Sequence, residues 1–166
     1  MLIYHPAYDA YHCIFRMLSI VEHVRGLEID KARLLDFYLM FPSAVSEIRL
    51  PSNLKEARKL ARTFSNVYHD PISVASTFRD MAEIQLAALK CIAASGLIDA
   101  KKLAAGLVER TSLAMPPEIL SKISGFLAQR DPLAGIILFG LGALPLRGDD
   151  GLKHRTSLME YRYDVA

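Results

Sequence analysis

The stretch RLLDFYLMFP, residues 33–42, decides the fold. Most of its residues carry large apolar or aromatic side chains, and Asp36 is its only acid. A helix this apolar has almost no face to offer to water, so we expect it to be buried against the chain's own core, a partner, or both. The segments before and after it are the candidates to cover this helix from within the chain.

Length and composition indicate one compact domain over residues 1–166. With 52% hydrophobic residues, the chain lies at the apolar end for a soluble domain. This high apolar content is expected either of a subunit with an additional surface that a partner covers, or of a well-packed helical monomer. No segment has the features of a signal peptide or a membrane span, so we expect a cytoplasmic protein without a membrane partner. Cys13 and Cys91 lie in apolar helical patterns and are interpreted as core residues of a reducing compartment.

Helix signals recur along the chain. Asp9 is expected to cap a first helix that runs to about Arg25 and ends at Gly26. Asp30 is expected to cap the second helix, which contains residues 33–42 and stops before Pro42. A third helix is predicted over about 53–66, with Asn53 as its cap, and a fourth over 73–94, where a buried Gln85 would need hydrogen-bond partners. A short helix is predicted from Asp99, another over 116–129, and a buried or partner-packed helix in 133–146. The first helix has a predicted polar stripe of His12, Arg16, Ser19 and His23.

Basic residues form the clearest charged pattern. The spacing i, i+3, i+4, i+7 places them on one side of the predicted third helix, with only Glu56 nearby to oppose them. Such a stripe suits phosphates or an acidic partner surface, although a solvated helix face has the same pattern. The near balance of 20 basic and 18 acidic residues does not by itself indicate nucleic-acid binding. The stripe consists of Lys55, Arg58, Lys59 and Arg62.

A second possible nucleic-acid element follows Gly96. A helix, a short turn containing GLID, and a helix that begins with Lys101 and Lys102 are compatible with a helix-turn-helix. Residues 107–115 alternate weakly and suit a strand or a small wing. The predicted fold class is therefore mainly α, a compact helical domain that is either plain or winged-helix-like with a small β element.

The sequence lacks recognisable catalytic or cofactor-binding patterns. It has no glycine-rich phosphate loop, no set of ligands at metal-binding spacing and no nucleophile elbow. We therefore predict no enzyme activity, no cofactor and no metal site, although a site assembled from distant residues would leave no local pattern. Asp36 has two interpretations. It either accepts hydrogen bonds from a distant arginine such as Arg155 or Arg162, or from a partner, or it pairs with Arg33 on the edge of its own helix.

Three stretches together resemble a known family. They are YHPAYDAYHCIFRML near the start, DFYLMFP in the second helix, and PLRGDDGLKHRTSLMEYRYD at the end; YHDP adds a central turn. These stretches are similar to the small middle components of bacterial ABC-three-component systems. The motif positions that this resemblance marks, either structural or partner-binding, are Asp36, Phe37, Tyr38, Phe41, Pro42, Arg155, Thr156, Arg162 and Tyr163.

The resemblance implies a helical, winged-helix-like adaptor without catalytic residues. Its implied partners are an SMC- or RecF-like ABC ATPase subunit and an effector component, in systems that act against phage or plasmids. Direct DNA contact and association with a second copy of the chain stay open. The alternative function is a DNA-binding winged-helix regulator or DNA-sensing subunit that uses the basic stripe or Lys101 and Lys102. The tail, residues 147–166, is expected to pack on the domain or on a partner.

Overall fold

The computed structural model describes residues 5–162 of the chain. It is mainly α-helical with one small antiparallel β pair, which confirms the predicted fold class. Within the described residues, no helix is both long and apolar enough to cross a membrane. The helices are α1 (Ala10–His23), α2 (Ile29–Met40), α3 (Glu56–Arg62), α4 (Val74–Asp80), α5 (Ala82–Ala94), α6 (Ala100–Ala104), α7 (Pro117–Ala128), α8 (Leu133–Gly135) and α9 (Leu152–Thr156); the strands are β1 (Leu27–Glu28) and β2 (Leu107–Val108). Short 3-10 helices span Pro6–Tyr8, Pro42–Glu47 and Ser52–Leu54, and a π-helix spans Ile136–Leu141.

Helix α2 is the central element, as its sequence predicts. It contacts α1, both strands, the 3-10 helix Pro42–Glu47 and the π-helix. The predicted burial of its large apolar residues within the domain is confirmed, because each of them is at most 2% exposed: Leu34, Leu35, Phe37, Tyr38, Leu39 and Phe41. Helix α2 is thus covered mainly by its own chain.

The start of α2 differs from the prediction. Asp30 does not cap it; Glu28 occupies the N-cap position without a side-chain hydrogen bond. The Ile29 N–H donates instead to the carbonyl of Gly106, 3.0 Å away. The residue before β2 therefore satisfies one of the free backbone donors at the start of α2.

Helix α1 follows its predicted bounds but not its predicted polar stripe. The Asp9 carboxylate caps it by accepting from the His12 N–H at 3.0 Å, and Gly26 after its end has φ +60°. Arg16 and Ser19 are buried, whereas His12 and His23 are exposed. Helix α1 packs against α2, α5 and α7. Less of its surface therefore faces solvent than the pattern of polar residues within α1 predicts.

The small β element forms between distant segments. Strand β2 pairs antiparallel with β1, with Leu27 opposite Val108 and Glu28 opposite Leu107. Downstream, Ile98 and Arg110 form an isolated bridge. Of the described residues 107–115, residues 107–111 pair with earlier parts of the chain and do not form a hairpin. The prediction of a small β element is confirmed, and a winged-helix arrangement stays a prediction.

The other helices follow the predicted order with changed limits. The helix predicted over 73–94 is divided into α4 and α5 at Met81. The predicted Asn53 cap is wrong, because Asn53 lies in a 3-10 turn and α3 begins after Lys55. Segment 133–146 continues from α8 into the π-helix, which buries Ile137, Leu138 and Leu141. The helix predicted in 133–146 is therefore confirmed for residues 133–141 only.

The two cysteines have different environments. Both are free thiols, but Cys13 is buried and Cys91 is exposed. The prediction that Cys91 is a core residue is wrong. Helix α5 buries Ala88, Leu89 and Ile92, and Cys91 lies outside that face.

Candidate partner-binding surface

Asp36 belongs to a buried polar network at the centre of the domain. Arg16 donates from Nε to Asp36 Oδ1 at 2.7 Å and from Nη2 to Oδ2 at 3.2 Å, and its Nη1 donates to the Pro6 carbonyl at 3.2 Å. Gln85 donates from Nε2 to Asp36 Oδ2 at 2.8 Å. Asp36 and Gln85 are fully buried and Arg16 is 2% exposed. The network joins α1, α2 and α5 inside the apolar core.

These contacts confirm the hypothesis that Asp36 accepts hydrogen bonds from a distant arginine and correct which arginine it is. The partner is Arg16, twenty positions earlier, rather than Arg155 or Arg162, and the alternative pairing with Arg33 is wrong. Arg33 donates from Nε to Gln85 Oε1 at 3.0 Å, and its guanidinium carbon lies 4.8 Å from the Phe78 ring centroid. The expectation that a buried Gln85 needs hydrogen-bond partners is confirmed, because its amide also donates to the Arg33 carbonyl at 3.1 Å.

The network also shifts the pKa values around it. Burial would lower the pKa of Arg16, but attraction to Asp36 and the hydrogen bond between them outweigh it, so that pKa is raised. Burial, followed by the negative charge of Asp36, raises the pKa of the Cys13 thiol to about 12. Arg16 and Asp36 are thus a charged pair in which each satisfies the other, and Cys13 is a neutral thiol at physiological pH.

The other motif positions of α2 have two environments. The Phe37 ring packs against the rings of Tyr38, Phe41 and Phe78 with centroids 5.2–5.6 Å apart, and it is fully buried. Burial raises the pKa of the Tyr38 hydroxyl, and the nearby Glu47 adds to that shift. Phe37 and Tyr38 are therefore core residues, whereas Phe41 and Pro42 at the helix end also border a surface cleft.

This cleft, here called the motif cleft, brings together three stretches that the sequence separates. It has a volume of about 450 Å³. Pro6 and His12 come from the entry stretch, Phe41 and Pro42 from the end of α2, and the central YHDP turn completes it with His69 and Asp70. Arg16 lies at the boundary of the cleft and the core, and α7 adds Phe126 and the following Arg130. The motif cleft is therefore the place where the entry stretch, the DFYLMFP stretch and the YHDP turn meet.

Beside the cleft, residues 66–72 form a loop with three large apolar side chains in solvent. Val67 is 92% exposed, Tyr68 is 93% exposed and Ile72 is fully exposed. We call this segment the apolar loop. The sequence predicts a turn here but not the exposure of these side chains, because a local pattern does not show which side of a turn the rest of the fold covers.

The apolar loop is held in shape by Asp70. One carboxylate oxygen of Asp70 accepts from the Ser43 hydroxyl at 2.8 Å, and the other accepts from the Asn66 N–H at 2.8 Å and the Ser65 hydroxyl at 3.3 Å. The Asp70 N–H donates back to the Asn66 carbonyl at 2.8 Å. Because Ser43 belongs to the 3-10 helix Pro42–Glu47, this helix holds the loop through its bond to Asp70.

A comparison with protein families identifies the chain. The family model of the ABC-three component (ABC-3C) system Middle Component 5 matches residues 2–164. The chain belongs to this family. Searches of curated proteins and of solved structures gave no significant match.

The Middle Component 5 chain places its C-terminal motif against the middle of the domain. Arg155 donates from Nη1 to the Arg49 carbonyl at 2.7 Å and from Nη2 to Asp150 Oδ1 at 2.8 Å. The Arg49 N–H donates back to the Arg155 carbonyl at 3.1 Å, and Thr156 lies beside it. The Arg162 side chain is exposed, and Tyr163 lies outside the described residues. Residues 147–162 therefore pack on this chain through Arg155.

The predicted basic residues form two sets, one on α3 and at its N-cap Lys55, and one on α6. Lys55, Arg58, Lys59 and Arg62 are all exposed, and none forms an ion pair with another described residue; Arg58 donates to the Ile48 carbonyl at 3.0 Å. Lys101 and Lys102 lie on α6, and Lys102 is paired with Glu109 at 2.7 Å. Helix α3 packs on the Pro42–Glu47 turn and α6 packs on α5. Each set is exposed, and each belongs to a different part of the surface.

The structure of this Middle Component 5 also shows which residues the sequence alone did not single out. The sequence places Arg16 on a polar stripe of the first helix, and no local pattern marks Arg130. One signal was available for Arg16: it is the only arginine among the apolar residues of α1, and Asp36 is the only acid of the apolar stretch 33–42. Within residues 5–162, no group of three or more histidine, cysteine, aspartate or glutamate side chains is arranged to hold a metal ion.

Proposed function

We propose that this Middle Component 5 protein is a non-enzymatic adaptor that couples an SMC- or RecF-like ABC ATPase to an effector in a bacterial anti-phage or anti-plasmid system. Its membership of a multi-component system supports such a role. The observation that carries the proposal is the apolar loop, where Val67, Tyr68 and Ile72 are almost wholly in solvent. Large apolar and aromatic side chains that are exposed together typically mark a protein interface.

The conformation of the loop favours docking. Three donors from two segments hold Asp70, so the loop has little freedom to lose when a partner binds. An ordered loop loses less conformational entropy on association than a mobile loop does. The apolar loop is thus a pre-organised contact of the kind that anchors interfaces.

The environments of the central polar groups favour a non-catalytic role. Asp36 and Arg16 hydrogen-bond to each other in the core, and Cys13 is buried with a raised pKa. Neither arrangement suits proton transfer or nucleophilic attack on a substrate. The adaptor proposal assigns these groups to the stability of the domain.

Co-purification with the ABC ATPase subunit encoded beside this chain tests the proposal. The triple variant Val67→Ser, Tyr68→Ser, Ile72→Ser is expected to lose at least about tenfold in affinity, because it removes a cluster of interface anchors. Leu113→Ser is the matched control, since Leu113 is 51% exposed outside the loop. A wild-type chain that ignores both the ATPase and the effector would contradict the adaptor role, and a triple variant that binds normally would exclude the loop.

DNA binding is the second candidate, supported by the four exposed cations of the basic stripe without ion pairs to described residues. Under this proposal, a DNA-binding or DNA-sensing domain, winged-helix-like in arrangement, contacts phosphates through α3, with Lys101 and Lys102 as a further contact. Affinity for duplex DNA is then expected to fall steeply with salt. Replacing Lys55, Arg58, Lys59 and Arg62 by glutamate should abolish binding and flatten the salt dependence. The same change at Arg25, Arg79, Lys90 and Lys122, also exposed, is the control. Equal losses in both variants would indicate non-specific attraction.

A further inference from the structure

Arg130 is the cation in the motif cleft that lacks a carboxylate partner among the described residues. Its Nε donates to the Leu39 carbonyl at 3.0 Å and its Nη1 to the Phe126 carbonyl at 3.3 Å. Its guanidinium carbon lies 3.9 Å from the Phe126 ring centroid. Burial, and then repulsion from Arg16, lower the pKa of Arg130, yet an arginine stays charged at neutral pH. Among the described residues, the hydrogen-bond and ring contacts of this partly buried positive charge are all with neutral groups.

The neighbouring charges are already matched. Arg16 is compensated by Asp36, and His12 lies 2.8 Å from the Asp9 carboxylate. The Asp70 carboxylate borders the same cleft but accepts its three hydrogen bonds from Ser43, Ser65 and Asn66. A ligand with one negative charge therefore suits Arg130, whereas a dianionic phosphate would bring excess negative charge close to Asp70.

Aromatic rings give the cleft its apolar character. Phe15 and Phe126 meet edge to face with centroids 5.8 Å apart, and Phe41 and Phe64 also line the space. Its volume of about 450 Å³ lies within the range, roughly 300–1,000 Å³, in which small ligands or a few side chains are held. The wall chemistry thus suits a large apolar group next to the anion.

The position of the cleft indicates a protein segment rather than a free metabolite. His69 lines the cleft and directly follows Val67 and Tyr68 of the apolar loop. A partner that covers the apolar loop would continue into the cleft without a gap in the contact surface. Resting on the proposed adaptor function, we propose that the motif cleft receives an acidic segment of a protein partner, with one carboxylate bound by Arg130 and an adjacent large apolar side chain between the phenylalanine rings.

The first test uses the full chain and a model peptide, so it does not depend on the adaptor role. Titration of labelled protein with N-acetyl-Phe-Glu-amide, followed by NMR, is expected to shift the Arg130 side-chain signal and amides around the cleft. The glutamine analogue should bind at least about fivefold more weakly, because the charge-assisted hydrogen bond to Arg130 is lost. Equal binding of the two peptides, no shifts at the cleft, or tighter binding of a phosphoserine analogue would overturn the carboxylate assignment.

Gln129→Glu gives a variant that keeps Arg130 and its structural contacts. Gln129 is exposed and lines the cleft, so a carboxylate there would compete for the guanidinium. The expected result is a loss of at least about fivefold in affinity for the peptide. Ser124→Glu, at an exposed position of the same helix α7 outside the motif cleft, should change affinity less than about twofold. Equal effects of the two variants would overturn the assignment to Arg130.

The same two variants in the complex separate this inference from the proposed function. If the wild-type chain binds the ATPase or effector, Gln129→Glu should weaken that binding about tenfold and Ser124→Glu should not. Unchanged binding of Gln129→Glu would overturn the docking of a partner in the cleft while leaving the adaptor role intact. A wild-type chain that binds neither component would contradict the adaptor role and also the docking of a partner segment in the cleft. The peptide titration is independent of that result and by itself decides whether the cleft binds a carboxylate.

Discussion

Arg16 on α1 and Asp36 on α2 form a two-point ion pair in the interior of the domain, with Nε–Oδ1 and Nη2–Oδ2 distances of 2.7 and 3.2 Å. Both side chains are almost completely removed from water. An isolated charge in an apolar core carries a large desolvation cost. Each of these two charges is therefore stable there only because the other is present. Gln85 and the Pro6 carbonyl occupy further hydrogen-bonding positions of the pair.

Replacing Asp36 by Ala is expected to destabilise the domain by about 3–5 kcal/mol, because Arg16 would stay buried without its counter-charge. Chemical denaturation followed by circular dichroism measures the change. The double variant Arg16→Met, Asp36→Leu removes both charges and should recover most of the lost stability. A double variant as unstable as Asp36→Ala would show that the polar contacts themselves, and not an unpaired charge, determine the loss.

Replacing Arg155 by Ala should loosen the C-terminal segment more than the core. Arg155 bonds to the Arg49 carbonyl and to both the carbonyl and carboxylate of Asp150. Losing these contacts is expected to cost about 1–3 kcal/mol and to raise the rate of proteolysis within residues 147–162. Arg162→Ala is the control, because the Arg162 side chain is exposed. Equal protease sensitivity of the two variants would contradict the anchoring role of Arg155.

A thiol reagent should distinguish the two cysteines. At pH 8, native protein is expected to react rapidly at one thiol, Cys91, because Cys13 is buried and its pKa is raised to about 12. Unfolded protein should react at both thiols. The reaction is followed by absorbance of the released thiolate. In Cys91→Ser the fast phase should disappear, and its persistence would contradict the burial of Cys13.

Cys13 also gives an expected dependence of stability on alkaline pH. The folded-state pKa, about 12, lies above the ordinary value of 9.0. The stabilising contribution is therefore complete below pH 9 and is lost as pH rises, because the unfolded thiol ionises and the folded one does not. At pH 10 the loss attributable to Cys13 should be about 1.4 kcal/mol. Cys13→Ala should show a correspondingly smaller decline in the free energy of unfolding between pH 8 and 10, and an identical decline would contradict this assignment.

Local signals in the sequence were sufficient for most helix starts and for the central element. Asp9, Ser73 and Asp99 accept hydrogen bonds from the first turns of α1, α4 and α6, because a capping side chain needs only a neighbour three residues away. Gly96 closes α5 with φ +81° for an equally local reason. The caps proposed at Asp30 and Asn53 failed where a distant strand or a 3-10 turn took over the backbone groups.

The sequence by itself thus determined a mainly helical domain built around a buried α2, because helix periodicity and the lack of a polar face are properties of a few adjacent residues. Only the tertiary structure decided that Asp36 pairs with Arg16, that Cys91 faces solvent, and that Arg130 lies in a cleft with the entry stretch and the YHDP turn. Those relationships join residues far apart in the chain. They depend on how whole helices pack, and helix packing is set by all the contacting side chains together rather than by any one segment.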